Sequence, residues 1–193
     1  MRSTWQLAGM TFLIALLRAD VAHAHSPALL RADQPYAVTD ATVSRALYGV
    51  FHAPDQVFVI TMHPATRIAL PFEILVPHRD ELRDHRPAYA IVARGLPRPS
   101  PDVAARLPRS LPDGAGVFVD WNDAPTREVE FESFLRRVYW SSGTIAVLVP
   151  AGDVEIWVWS PRGTTGKFVL GFGVEEGGID YGDVFDHWSD YAY

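Results

Sequence analysis

From residue 154 to residue 173 the chain alternates, and that alternation constrains its fold more than any other feature. Val154, Ile156 and Val158 stand against Glu155, Trp157 and Trp159; beyond the turn residues 160–166, Phe168, Leu170 and Phe172 stand against Val169, Gly171 and Gly173. Successive side chains of a strand point to opposite faces, so a period of two gives each segment one buried face. An antiparallel hairpin with Trp159 opposite Lys167 makes Ile156 meet Leu170 and Val158 meet Phe168. Its other side then sets Trp157 against Val169 and Glu155 against Gly171. A slip of one residue would pair aliphatics with glycines, so the hairpin and its register are both expected.

The rest of the chain repeats the theme in shorter pieces. Residues 45–51, 56–62, 70–76, 88–92, 117–121, 127–131, 135–140 and 144–149 are rich in the types that suit a pleated, half-buried surface. Turn residues separate them, among them the charged run 78–86, expected to be a solvated loop. Residues 95–116 hold Pro97, Pro99, Pro101, Pro108 and Pro112, which predicts a loop or hinge because proline removes backbone donors. No long helical period and no fixed repeat is present. Many short strands with Gly/Pro turns predict an all-β fold, an antiparallel β-sandwich of jelly-roll type. With no cysteine, neither disulfides nor thiolate chemistry enters, and the core must hold the fold.

The two ends read differently. Arg2 precedes an apolar run over residues 7–17, then come Arg18, Asp20 and the small-residue pair of Ala22-His23-Ala24. This is the layout of a signal peptide over residues 1–24, too short and too soon interrupted for a span. A periplasmic or secreted protein without a membrane span after cleavage is the expectation, with a sandwich domain at 25–176. Residues 177–193 form an acidic, aromatic tail. There Asp183 caps an expected short C-terminal helix that docks Val184, Phe185, Trp188 and Tyr191 onto the sandwich, the alternatives being an exposed partner-binding segment or a calcium site from Asp180, Asp183 and Asp186. Net charge is −6, and every charged side chain after Lys167, the single lysine, is an acid. The chain therefore lacks the basic footprint of a nucleic-acid partner.

The ending at 160–176, Ser-Pro-Arg-Gly-Thr-Thr-Gly-Lys-Phe-Val-Leu-Gly-Phe-Gly-Val-Glu-Glu, resembles the closing motif of secreted bacterial and archaeal proteins of unassigned function. These are similar to the pre-peptidase C-terminal (PPC-like) domain. Residues 40–51 (DATVSRALYGVF) and 82–97 (LRDHRPAYAIVARGLP) resemble that group's opening and central motifs. The resemblance implies an exported jelly-roll sandwich with binding or accessory roles and no established catalytic residues. One departure is the apolar stretch 57–62 with its His63-Pro64-Ala65-Thr66-Arg67 turn, where relatives carry Asp and aromatics before a glycine turn.

Candidate chemistry is sparse. Cleavage after Ala24 makes His25 the amino terminus, where its imidazole and a free amine chelate copper(II) if a second histidine joins them. His52, His63, His78, His85 and His187 are the candidates for that second ligand. Trp157 and Trp159 share a strand face and suit ligand stacking, as in a carbohydrate-binding module, unless they pack over neighbouring glycines. Trp121, Tyr139 and Trp140 are candidates to lie beside them. The run Arg162–Phe168 fails as a phosphate loop, since Pro161 and Phe168 replace required residues; it is expected to be the hairpin turn. Neither Gly-x-Ser-x-Gly nor His-Glu-x-x-His occurs. The expected function is a non-catalytic, cofactor-free binding or accessory protein for a small-molecule, glycan or protein ligand. A periplasmic copper-binding protein and a carbohydrate-binding module are the alternatives.

Overall fold

A computed structural model describes residues 25–132, 135–176 and 187. The expected signal peptide, the tail helix and the calcium aspartates lie outside the described residues. Twelve strands occur among those described: β1 (Ser26–Leu29), β2 (Tyr36–Val38), β3 (Arg45–Phe51), β4 (Val57–Met62), β5 (Ile68–Pro77), β6 (Ala88–Arg94), β7 (Ala115–Asp120), β8 (Glu128–Glu132), β9 (Arg137–Ser141), β10 (Ile145–Val149), β11 (Val154–Trp159) and β12 (Gly166–Phe172). One α-helix, α1 (Pro101–Arg106), interrupts them.

The strands form two sheets packed face to face. One runs β1-β3-β12-β5-β9-β8, with β10 also paired to β5; the other runs β2-β4-β11-β6-β7. Among the described strands, only the pairs β1/β3 and β2/β4 are parallel. The all-β sandwich expected from the sequence is the observed architecture.

The expected hairpin is not. β11 pairs with β4 and β6, whereas β12 pairs with β3 and β5 in the opposite sheet. Residues 160–165 arch across the sandwich instead of turning within one sheet. Val154, Ile156, Val158, Phe168, Leu170 and Phe172 nonetheless share one buried cluster, because two strands facing across a core need the same alternation as two strands side by side. What changes is the outer face: Trp157 and Trp159 point away from one sheet, Gly171 away from the other.

Each sheet also carries a smaller apolar cluster on its outer side. On the β3-β12-β5-β9 side it comprises Ala46, Tyr48, Leu75, Leu135, Tyr139 and Val169. On the β11-β6-β7 side, Trp157 and Trp159 lie with Ala88, Ala90 and Val92 beneath the long β6–β7 connection. That connection, read from sequence as a loop or hinge, is a covering strap built around α1, whose first turn accepts Ser100 as its cap: the Ser100 hydroxyl takes the Val103 N–H at 3.3 Å. Leu107 and Leu111 of the strap pack onto the tryptophans' cluster. Gly116 anchors its far end, since a Cβ there would lie 2.0 Å from the Leu96 carbonyl oxygen. In consequence all six residues from Ala88 to Ala93 are buried, three inward and three under the strap.

Candidate functional site

The clearest candidate site lies where β5 ends, β6 begins and the β7–β8 connection passes. A cleft of about 400 Å³ there is lined by His78, Arg83, Asp84, Arg86, Arg127 and Trp140, with Pro125 at its rim. Trp140 lies on β9 with its ring against the inter-sheet core, and is only 8% exposed. His78 tilts against that ring at 4.6 Å, and the Arg127 guanidinium lies over it at 4.4 Å. A cation over an indole face is attracted by the ring's quadrupole.

Local structure holds the arginines in place. Arg127 donates Nη1 to the His85 carbonyl at 3.1 Å and Nη2 to the Arg83 carbonyl. Arg86 donates Nη1 to the carbonyls of Asn122 and Ala124 at 3.3 and 2.8 Å. Asn122 in turn is buried, with its Nδ2 on the Pro87 carbonyl at 3.2 Å and its N–H on Asp120 Oδ1 at 2.9 Å. Its φ of 48° is a left-handed conformation that asparagine tolerates better than most residues. Arg83 reaches Asp80 at 3.0 Å on the exposed side. A guanidinium has five donors, so both Arg86 and Arg127 keep donors without a protein partner among the described residues.

Charge in the cleft is unbalanced. Burial brings the Arg127 guanidinium down to about 10, Arg86 and Arg162 push the same way, and Asp84 alone opposes them. A bound oxyanion would offset that repulsion through charge-assisted bonds. The larger groove on the other side of the molecule differs in this respect. It holds about 710 Å³ and is lined by His63, Asp153, Arg94, Asp113 and Glu155 among others. Three of these five side chains are already engaged: His63 Nδ1 lies 2.8 Å from Asp153 Oδ1, and Glu155 accepts the Trp157 Nε1–H at 2.6 Å.

The residues singled out from sequence are scattered. His25 is half-buried just before β1, its Nδ1 2.6 Å from the Ser44 hydroxyl. Of its candidate co-ligands, His52 is exposed in a turn, His63 meets Asp153, His78 meets Trp140, and His187 is half-buried. His85, expected in a solvated loop, is 2% exposed, with Nδ1 2.8 Å from the Thr164 hydroxyl of the arch. Burial holds its imidazole down to about 4, Arg127 adds to this, and the Gly166 backbone opposes it. Among the described residues, no three His, Asp or Glu side chains approach closely enough to hold a metal ion.

Trp157 and Trp159 present no open ring face for stacking, being 1% and 5% exposed. Arg109 covers Trp157 at 5.5 Å, and Trp121 meets Trp159 edge-on at 5.5 Å. Tyr139 and Trp140, considered as their neighbours, belong to the other sheet. The rings do not fold over Gly171 and Gly173 either. A phenyl ring does cover Gly49, which stands opposite Phe168 on β12.

No protein-family model matches the sequence, and no curated protein matches it at a significant level.

Proposed function

We propose that this chain is an exported, non-catalytic binding or accessory protein whose ligand presents an oxyanion, a carboxylate or a phosphate, to the cleft beside Trp140. One observation carries the reading: Arg86 and Arg127 are immobilised by backbone carbonyls, keep unused donors, and face a cleft with a single carboxylate, Asp84. Fixed guanidiniums lose less entropy on binding than mobile surface cations, which favours recognition over general attraction. The likeness of the closing motif to PPC-like domains implies the same class of role.

The test has two parts. Intact mass of the exported protein is expected to show a chain beginning at His25; retention of residues 1–24 would remove export by signal cleavage. Calorimetric titration with phosphate and with citrate is expected to give millimolar or tighter binding that weakens as salt is raised. Arg86→Gln combined with Arg127→Gln should abolish it. Binding unchanged in that variant would overturn the site.

A further inference from the structure

An unusual strand adjoins the cleft, beginning one residue after Arg127 and pairing with the strand that carries Trp140. β8 ends its sheet, and among the described residues β9 is its one strand neighbour, so its outer edge carries no strand pairing there. Natural sheets commonly blunt such an edge because it templates pairing with another chain. Here one side of β8 is apolar instead. Val129 and Phe131 are 61% and 59% exposed, and Val138 across the ladder is 38% exposed. Val129 is the cross-strand partner of Trp140, and Phe131 of Val138, so this strip continues directly from the tryptophan of the cleft.

The other side of the same strand is acidic. Glu128, Glu130 and Glu132 alternate with the two apolar residues, and Glu132 accepts the Leu135 N–H at 2.7 Å. The Glu130 carboxyl is raised by its burial and then by Glu128 and Glu132. Two copies of β8 paired antiparallel about Glu130 would set glutamate against glutamate, which opposes self-association through this edge.

Direction completes the picture. Arg127 immediately precedes β8 and lies over Trp140. A strand added antiparallel to β8 therefore ends, at its own carboxyl terminus, beside Arg127 and the cleft.

We infer that β8 and the Trp140 cleft together form a docking site for the carboxyl-terminal segment of an extended peptide. The peptide pairs antiparallel with β8, with apolar side chains over Val129 and Phe131 and basic ones beside Glu128 and Glu130. Its terminal carboxylate is held by Arg86 and Arg127. This inference rests on the oxyanion reading above and names the partner that reading leaves open. Backbone pairing would supply affinity and the alternate side chains specificity, as in other strand-addition complexes.

The probe is an N-acetylated hexapeptide of alternating lysine and valine, ending in valine with a free carboxylate. Fluorescence polarisation of its labelled form on the full mature chain is expected to give a dissociation constant on the order of 100 μM. The carboxamide form and a form N-methylated on its pairing amides should each bind at least tenfold more weakly. Phe131→Glu, at a solvent-exposed position, should weaken the free acid to a similar degree while leaving the melting temperature of the protein unchanged. Equal binding of acid and amide, or of the N-methylated form, would overturn the inference, as would indifference to Phe131→Glu. A dimer in sedimentation that Phe131→Glu dissociates would also overturn it, since a second copy would then own the edge. If the peptide fails while phosphate and citrate still titrate Arg86 and Arg127, the peptide inference alone falls. If those anions fail too, the oxyanion reading falls with it.

Discussion

Arg127 and Trp140 form a stacked pair, 4.4 Å from guanidinium carbon to ring centroid, and the same guanidinium ties the carbonyls of His85 and Arg83 to the β8 side of the molecule. Lysine keeps the charge but lacks the planar fork. Arg127→Lys is therefore expected to cost about 1–2 kcal/mol, the scale of the forked hydrogen bonds to two carbonyls. Urea unfolding checks this; a lysine variant as stable as the parent would show that charge alone suffices there.

A half-buried carboxyl and a buried imidazole give opposing pH dependence. Burial, and after it Glu130, raises Glu73 to about 7 from 4.5, against a bond from the Ser141 hydroxyl. Glu73 contributes stability fully below pH 4.5 and loses it as pH rises through 7. His85, held down to about 4 from 6.5, contributes above pH 6.5 and loses its share as pH falls toward 4. The two slopes oppose each other between pH 4.5 and 6.5, and each spans up to about 3 kcal/mol. Relative to the parent, Glu73→Gln is expected to gain stability as pH rises through this window, and His85→Asn to gain it as pH falls. Urea midpoints from pH 4.5 to 7.5 measure both; difference curves that stay flat would refute the assigned protonation states.

Gly49 admits no side chain. A Cβ there would lie 2.5 Å from Cε1 and Cζ of Phe168, whose ring is wedged against Phe51 at 4.9 Å and Phe58 at 5.2 Å. Gly49→Ala is expected to lower stability by about 1–3 kcal/mol, as overpacking does in other cores. A melting temperature equal to the parent's would mean that the phenyl cluster yields.

Leu107 and Leu111 of the strap pack on the apolar cluster that holds Trp157 and Trp159, and Arg109 lies over the Trp157 ring. Leu111→Asp sets a charge against that apolar cluster and is expected to raise acrylamide quenching of tryptophan emission. The rise should vanish when Trp157→Phe is added, which separates it from the other indoles. Quenching unchanged in Leu111→Asp would show that the strap stays closed without its leucine.

How far the fold could be read in advance is clearest at the chain's end. Alternation in residues 154–158 and 168–172 identifies the buried faces correctly, because period two depends only on the pleat. It does not identify neighbours: a hairpin and an arch across a sandwich require the same pattern, and only contacts with β3, β4, β5 and β6 decide between them. For the same reason Trp157 and Trp159 could be placed outward, while their cover came from a proline-rich segment some fifty residues earlier. The cleft was less legible still. Arg86, Arg127 and Trp140 carry no motif, and a mixed charge run such as residues 78–86 reads as solvated whether or not one of its histidines is buried. The one signal present was the run of arginines at 79, 83 and 86, too ordinary a spacing to imply a site.

The position of β12 has a consequence in time. It is the last strand among the described residues, yet it lies in the middle of its sheet, bonded to β3 on one side and β5 on the other. Those partners are made more than ninety residues earlier, and long-range pairing of this kind is slow to form. Until residue 172 is synthesised, β1 and β3 have no bridge to β5, and half of the apolar interior has nothing to close against. The sandwich therefore closes only once β12 is available, and a truncation before Gly166 removes a keystone from the sheet where an edge strand would have been trimmed.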